Sequence, residues 1–271
     1  MSNQIQSEQQ AYSNALYYST LFYEAQKANG SSIPWRGEAA KDDGQDGVDL
    51  SGGYFDAGDH IKFMFPMASA FNLIGWTIIE FTEELQQSGH LTRLLDLFQH
   101  AIKWMIKCHT APSELWVQVG DKTDHDWWGP PEFVHVYTKR PCFKIDEDNP
   151  GSDVAAEVSV SLTIAAILVK MGLLEMDGVD LITRAQQLLD FAIAYPVPYS
   201  ESIPEAAQFY KSWSGFIDEL VWASAWMLKA RPYYPSIRDY QFLIDDHYSK
   251  ITGSSEWTHN WDDKRYGAYI L

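Results

Sequence analysis

The chain contains little cysteine, since only Cys108 and Cys142 occur in its 271 residues. One widely separated pair does not have the spacing of a cysteine metal site, and a chain of this length can bury a core without a disulfide. A small disulfide-stapled domain and a cysteine-based zinc site are therefore excluded. We predict two unrelated thiols.

Basic charge is also scarce. There are 20 Lys and Arg against 37 Asp and Glu, which gives a net charge of −17. Such a chain repels phosphate backbones and anionic membrane surfaces, so we expect neither nucleic acid nor a membrane as partner, and a neutral ligand instead. No run of about 18 apolar residues indicates a membrane span. The start, MSNQIQSEQQ, shows no signal peptide, and no obligate protein partner is predicted.

Strand-like alternation and a fixed sequence repeat are nearly absent, whereas apolar residues recur at three- and four-residue spacing. This pattern predicts about eight helices, at residues 8–27, 67–85, from 91, 152–172, 179–194, 215–231, 235–249 and from about 262. Two long loops, 30–65 and 112–150, separate them. We therefore predict an all-α fold, a single domain over residues 1–271, in which helical hairpins form a toroid with its loops gathered on one side.

Aromatic residues are abundant, with 11 Trp, 15 Tyr and 13 Phe, and several Trp lie in the polar loops. A large apolar ring in a surface loop needs a reason to be there. One reason is a carbohydrate ligand, because sugars present flat C–H faces to aromatic rings and hydroxyls to polar side chains. Bracing of the long loops is the alternative for some of these rings.

The first long loop contains two carboxylates three residues apart, Asp56 and Asp59, in the segment SGGYFDAGDH (51–60). The small neighbours allow a tight backbone and leave both acids reachable. Two nearby carboxylates raise one another's pKa or act together on one water. From these residues alone, a catalytic pair, an acidic turn and a calcium loop all remain open.

Five segments in order resemble glycoside hydrolase family 9. The segment from Trp35 to Ala68, WRGEAAKDDGQDGVDLSGGYFDAGDHIKFMFPMA, resembles the family signature, in which a Trp-Arg-Gly loop leads into Gly-Gly-aromatic-Asp-Ala-Gly-Asp-His. The later segments are VGDKTDHDWWGPPE (119–132), PGSDVAAEVSVSLTIA (150–165), SWSGFIDELVWASAW (212–226) and WDDKRYGAYIL (261–271). The resemblance implies an (α/α)6 barrel of six helical hairpins, of which this chain would contain about eight of twelve helices.

The resemblance implies an endo-β-1,4-glucanase, a cellulase that acts on a β-1,4-glucan chain with inversion and without a catalytic cofactor. The second Asp of the family motif is the general base, which assigns that role to Asp59 and the holding of the attacking water to Asp56. An inverting enzyme needs this base ionised and a protonated acid about 6.5–9.5 Å away, with the water between them.

Sugar contacts are implied for five further residues. His125 matches a position that hydrogen-bonds a sugar hydroxyl, and Trp128 matches one that stacks on a sugar ring. Tyr210, Trp213 and Trp257 fall where the family uses aromatic side chains to hold glucose units. For Tyr210 and Trp257, a surface or packing role remains open.

Two residues are predicted to have structural roles. Arg36 is expected to brace the first loop by pairing with an Asp rather than to contact sugar. Ser152 is predicted as the N-cap of its helix. That helix is apolar nearly all round after its first turn, so we expect it to be buried on both sides.

A structural calcium site is implied by Ser214, Gly215, Asp218 and Glu219 together with Asp262, which resemble a site found in many family members. Calcium takes six to eight hard oxygen ligands at about 2.3–2.6 Å. Alternatively, Ser214 caps the helix and the two acids lie favourably in its first turns. Capping and calcium binding are compatible.

The general acid of the family, a Glu, is expected beyond Leu271, because Glu132, Glu157 and Glu219 lie in segments where the family gives Glu other roles. Two hypotheses follow. The chain is part of a longer cellulase, or it is a half-barrel that binds β-glucan without cleaving it. A dimer that completes the ring is a third. The family implies an extracellular protein.

Overall fold

The structure is a computed structural model that describes residues 2–252 and 258–271. Within them, the longer helices are α1 (Ser2–Gln26), α2 (Met64–Glu80), α4 (Leu91–Cys108), α7 (Ser152–Lys170), α8 (Leu181–Ala194), α11 (Ile217–Ala230) and α12 (Gln241–Thr252). The shorter ones are α3 (Thr82–Gln87), α5 (Lys122–Asp126), α6 (Val134–Tyr137), α9 (Tyr199–Ser202), α10 (Pro204–Ala207) and α13 (Arg265–Ile270). The predicted helices are all present, so the mainly helical fold is confirmed.

Helix α7 is the central helix of the core, and its residues 152–168 are all buried. It packs against α2, α8 and α11, which confirms the prediction that it is covered on both sides. In the described residues it is the one helix long and apolar enough to cross a membrane, but 94% of that stretch is buried inside the protein. This is the environment of a core helix.

The prediction that Ser152 caps α7 is wrong. The helix begins at Ser152 itself, and its N-cap position, Gly151, has no side-chain cap. The buried Ser152 hydroxyl donates to the carbonyl oxygens of Ala192, at 2.9 Å, and Tyr195, at 3.0 Å, and accepts from the Val197 N–H. The hydroxyl thus joins the start of α7 to the end of α8.

A small antiparallel sheet connects the two long loops, which the sequence pattern did not predict. Its central strand is β5 (Glu114–Val119), which pairs with β3 (Lys62–Phe63), β4 (His109–Ala111) and β6 (Cys142–Ile145). A separate hairpin of β1 (Gly44–Gln45) and β2 (Val48–Asp49) lies in the first loop. In β5 all residues after Glu114 are buried, so the alternation that identifies a half-buried strand is missing.

Buried tryptophans account for part of the aromatic excess. Trp104, Trp222 and Trp226 are fully or almost fully buried. The Trp104 indole N–H donates to the Leu50 carbonyl at 3.0 Å, and a Cβ on Gly53 would come within 2.7 Å of the same ring. Trp104 therefore braces the first loop, and that part of the loop requires glycine. Both cysteines are free, as predicted, and both are buried.

Candidate active site

Asp56 and Asp59 lie on a tight turn immediately before β3. The Asp59 N–H donates to the Asp56 carbonyl at 2.8 Å, and the Asp56 N–H donates to the Ile61 carbonyl at 2.9 Å. Between them, Ala57 (φ 40°) and Gly58 (φ 112°) adopt the left-handed conformation that such a turn requires. Because β3 pairs with β5, the turn is attached to the sheet on its C-terminal side.

Asp59 has a defined hydrogen-bond partner on each oxygen. Its Oδ2 lies 2.9 Å from His125 Nδ1, and its Oδ1 accepts from the Ile61 N–H at 2.9 Å. Burial is the main cause that raises the pKa of Asp59, while the hydrogen bonds from His125 and Ile61 lower it. An ionised Asp59 makes His125 Nδ1 the donor, and in a neutral imidazole Nε2 is then an acceptor for another group.

Asp56 is held by Tyr210, which lies 154 residues further along the chain. Its Oδ2 accepts from the Tyr210 hydroxyl at 2.7 Å, and the Tyr210 ring lies edge-on to Phe63 and Trp261. Burial raises the pKa of Asp56 to about 6; the Tyr210 hydrogen bond lowers this pKa and the Asp59 charge raises it. Tyr210 thus packs within the site and orients an acid.

The raised pKa of Asp56 predicts a pH-dependent gain in stability for Asp56→Asn. Between the ordinary pKa near 3.8 and the folded value of about 6, the folded chain binds this proton more tightly than the unfolded chain, so ionisation of Asp56 costs stability as the pH rises. Asparagine removes that cost and can still accept from Tyr210. We expect a higher unfolding temperature than wild type at pH 7 and little gain at pH 4.

Thermal unfolding at pH 4, 5, 6 and 7 measures this effect. The matched control is Asp49→Asn, since the Lys107 and Ser51 contacts lower the pKa of Asp49 to about 2 despite the opposing effect of burial, and the sign is reversed. That variant should lose stability at neutral pH. An Asp56→Asn gain of equal size at pH 4 and pH 7 would contradict the prediction.

A capping box positions His125 on the short helix α5. The Asp121 carboxylate accepts from the Thr123 N–H at 2.8 Å, and the Asp124 carboxylate accepts from the Asp121 N–H at 2.9 Å. This reciprocal arrangement satisfies two N–H groups at the start of the helix. His125 directly follows Asp124, so the capping box fixes its position beside Asp59.

Among the described residues three tryptophans are exposed, and two of them line the cavity that contains Asp59. Trp128 and Trp35, 71% and 73% exposed, line with Asp59 a cavity of about 210 Å³. Trp213 is 75% exposed and lies 4.7 Å from the Lys211 ammonium. Trp35 was not predicted as a cleft residue, although a Trp in a polar loop is the signal that could have identified it. Trp257, predicted to hold sugar, lies outside the described residues.

The predicted calcium residues are partly brought together. The Asp262 carboxylate accepts from the Trp213 N–H at 2.8 Å and from the Ser214 N–H at 3.2 Å, and the Ser214 hydroxyl donates to the Asp262 carbonyl. Asp218 Oδ2 lies 3.4 Å from the Ser214 hydroxyl. Helix α11 begins at Ile217 without a side-chain cap, so the alternative in which Ser214 caps it is wrong.

Glu219 is the least satisfied acid of this group. Its side chain is fully buried, and neither carboxylate oxygen has a hydrogen-bond partner. Burial, followed by the Asp218 charge, raises the pKa of Glu219 well above its ordinary value. Across residues 2–252 and 258–271, however, no three His, Cys, Asp or Glu side chains converge as a metal site. Gly215, the remaining predicted calcium residue, lies before α11 with a φ of 93°.

Arg36 braces the first loop as predicted, but its partner is not an Asp. Its Nη1 lies 3.2 Å from Glu132 Oε1, and its Nη2 donates to the Lys27 carbonyl at 2.9 Å. The same Glu132 oxygen accepts from the Gly37 N–H at 2.8 Å. Glu132 therefore connects the second loop to the first.

Known proteins share both the sequence and the fold of this chain. The family model for glycosyl hydrolase family 9 matches residues 12–271. Endoglucanase B of Cellulomonas fimi is 40% identical over 273 residues, covering 96% of this chain and 26% of the relative. The chain thus spans about a quarter of this relative's length.

Solved structures give the same result. The endoglucanase of the termite Nasutitermes takasagoensis is 37% identical with a TM-score of 0.84, covering 96% of this chain and 60% of the termite chain. Endoglucanase CelQ of Clostridium thermocellum, solved with cellobiose and cellotriose, is 30% identical with a TM-score of 0.79, covering 96% and 41%. The match to the family model over nearly the whole chain, together with these relatives, shows that this chain belongs to glycosyl hydrolase family 9.

Proposed function

We propose that this chain forms part of a longer cellulase catalytic domain and hydrolyses internal β-1,4-glucosidic bonds of cellulose or a related β-glucan with inversion. The observation that carries the proposal is the state of Asp59, an almost buried carboxylate held by His125 at 2.9 Å in a cavity that it shares with exposed Trp128. This is the environment of a general base beside a sugar-binding surface.

In the proposed reaction, Asp59 takes a proton from a water while the water oxygen attacks the anomeric carbon from the face opposite the leaving oxygen. The leaving oxygen receives a proton from a carboxylic acid across the scissile bond, which lies about 6.5–9.5 Å from the base in inverting enzymes. His125 keeps the Asp59 carboxylate oriented. Asp56, oriented by Tyr210, accepts a hydrogen bond from the same water when it is ionised.

The glucan chain is expected to lie across the exposed rings of Trp128 and Trp213, with His125 Nε2 accepting from a sugar hydroxyl. Trp35 lines the same cavity and supplies a further stacking surface. The role of Trp257 stays a prediction. A polymeric glucan is available outside the cell, so we propose an extracellular protein.

Hydrolysis of carboxymethylcellulose tests this function. The assay uses the 271-residue chain and a chimera that joins it to the part of the termite endoglucanase that this chain does not match. We expect the chimera to release reducing ends, and proton NMR to show the α-anomer as the first product. Binding of cellohexaose by the 271-residue chain, together with no cleavage by the chimera, would instead favour the binding-only half-barrel. A first product in the β form would rule out inversion.

We also propose a structural calcium ion near the start of α11. The Ser214 hydroxyl, the carboxylates of Asp218, Glu219 and Asp262, and a backbone carbonyl at Gly215 would supply the oxygen ligands. The proposal rests on Glu219, because its two buried oxygens lack hydrogen-bond partners and suit a cation. In the described residues the three carboxylates do not converge as a ligand set, so they would have to move closer together to bind the ion. The ion would neutralise buried negative charge and attach the segment around Asp262 to α11.

Calcium is expected to raise the thermal stability of the wild-type chain. Saturation at a hundred times the Kd contributes about 2.7 kcal/mol, which corresponds to a rise of roughly 5 °C or more for a chain of this size. Glu219→Gln should abolish this rise and increase stability in EDTA, because it removes a buried charge. Exposed Glu201→Gln is the matched control and should keep the full calcium effect. An equal calcium effect in both variants would contradict the proposed ligand.

A further inference from the structure

We propose that Arg140 is a positioning residue that sets the contact between Asp59 and His125. The inference rests on the proposed function, because it concerns the geometry of the proposed base. Arg140 lies between α6 and β6 and is only 3% exposed. It does not line the cavity that contains Asp59.

The guanidinium of Arg140 contacts a residue adjacent to each partner of the Asp59–His125 hydrogen bond. Its Nη1 donates to the His60 carbonyl at 2.6 Å and to Asp124 Oδ1 at 3.0 Å. His60 directly follows Asp59, and Asp124 directly precedes His125. A single nitrogen atom therefore connects the segment that carries the base to the segment that carries its hydrogen-bond donor.

The other side of the guanidinium is anchored. Nε and Nη2 donate to the two oxygens of the buried Asp43 carboxylate, Nη2 at 2.9 Å. Asp43 also pairs with the buried Lys62 ammonium at 2.6 Å. Lys62 lies in β3 and donates to the Leu50 carbonyl at 3.1 Å. Arg140 is consequently anchored to the first loop through Asp43, and to strand β3 of the sheet through the pair of Asp43 with Lys62.

The charges of this network are balanced. Asp43 and Asp124 face Lys62 and Arg140, and His135 Nε2 lies 3.3 Å from Asp43. Although burial acts in the opposite direction, the Arg140 and Lys62 contacts lower the pKa of Asp43, and the Asp43 and Asp124 contacts raise the pKa of Arg140. Asp43 and Arg140 therefore each stabilise the charged form of the other.

The backbone of Arg140 indicates that its position is imposed by these contacts. Its φ is 51°, in the left-handed region that a residue with a long side chain rarely adopts. Such a conformation persists only where the surrounding structure requires it. Lysine could pair with Asp43 but could not reproduce the planar fork that binds Asp43, Asp124 and the His60 carbonyl together.

The test is Arg140→Lys in the 271-residue chain, with the Asp59 carboxyl followed by carbon-13 NMR and assigned through Asp59→Asn. The groups that face Asp59 are His125, His60, Asp56 and the Ile61 N–H. The His125 hydrogen bond lowers the pKa of Asp59, so loosening it should shift the Asp59 titration upward. In the chimera, kcat should fall about tenfold to a hundredfold, with KM for cellohexaose nearly unchanged.

Two further variants keep the test decisive. Asp124→Asn weakens the same bridge from its other end and should also shift the Asp59 titration upward, which covers an Arg140→Lys chain that does not fold. Leu188→Ala removes a fully buried core side chain of α8 and should lower stability without moving that titration. A folded Arg140→Lys chain with unchanged Asp59 titration and kcat would overturn the proposal, as would an equal shift in Leu188→Ala. If the wild-type chimera cleaves no glucan, the proposed function fails, while the NMR result still decides the role of Arg140.

Discussion

Replacing Asp59 by Asn in the chimera is expected to reduce hydrolysis of carboxymethylcellulose by about two to four orders of magnitude, the usual contribution of a general base. Asparagine keeps the size of the side chain, and its oxygen can still accept from the Ile61 N–H, which is now 2.9 Å from Oδ1. The amide cannot take a proton from water. The lost function is thus the chemical step, whereas the shape of the cavity is retained.

Initial rates with carboxymethylcellulose and the Kd for cellohexaose separate the two effects. Binding should remain close to wild type, because the sugar contacts come from other side chains. Asp49→Asn is the matched control, since Asp49 lies in the same loop but pairs with Lys107 at 2.7 Å on the surface. It should keep wild-type activity. Retention of more than about a tenth of the rate in Asp59→Asn would assign the base to another group.

The largest loss of stability is expected for Lys264→Met. The Lys264 ammonium is fully buried and donates to the Ser69 hydroxyl at 2.7 Å and to the Asn260 carbonyl at 2.9 Å. It also pairs with the fully buried Glu157 at 3.2 Å. Removing one partner of a buried pair leaves an uncompensated charge, which costs about 3–5 kcal/mol. Urea unfolding at pH 7 measures this loss.

The pH dependence identifies Glu157 as the cause. Burial raises the pKa of Glu157, and Lys264 is the first of the groups that lower it. Without Lys264 the pKa rises further, so the variant should lose stability as the pH increases from 5 to 8. The double variant Lys264→Met/Glu157→Gln should recover part of the loss. As a control, Lys229→Met breaks a pair with Glu80 that is 35% and 45% exposed, and should cost at most about 1 kcal/mol. A similar loss in both single variants would contradict the explanation.

The helices could be predicted from the sequence because their apolar spacing reflects burial against one core. The strand β5 could not, because burial of both faces removes the alternation of polar and apolar residues. The hydroxyls of Ser152 and Ser214 resembled helix caps, but they donate to the carbonyls of Ala192 and Asp262, which lie 40 and 48 residues away. A local motif cannot reveal such a partner.

Partners that are distant in sequence could not be predicted for the candidate site either. Asp56 and Asp59 were identified from a short motif and its family resemblance. Tyr210 and His125 were also predicted as site residues, but to hold sugar and not to bind these acids, because the Tyr210–Asp56 contact spans 154 residues and the His125–Asp59 contact spans 66. The Arg140–Asp43 pair, which spans 97 residues, was not predicted. Only the folded structure brings these residues, which are distant in sequence, into contact. The sequence therefore predicted the two acids of the site but not the network that holds them.

The strand β5 also links the loop that carries Asp59 to the loop that carries His125. On one side Gln118 and Val119 pair with β3, next to the turn that carries Asp59, and on the other they pair with β6, which ends the loop that carries His125. Hydrogen-bonded strands of this kind exchange their amide protons as one cooperative unit. A local unfolding event that releases β5 therefore frees both loops together. We therefore expect Asp59 and His125 to lose their relative position together when β5 unfolds.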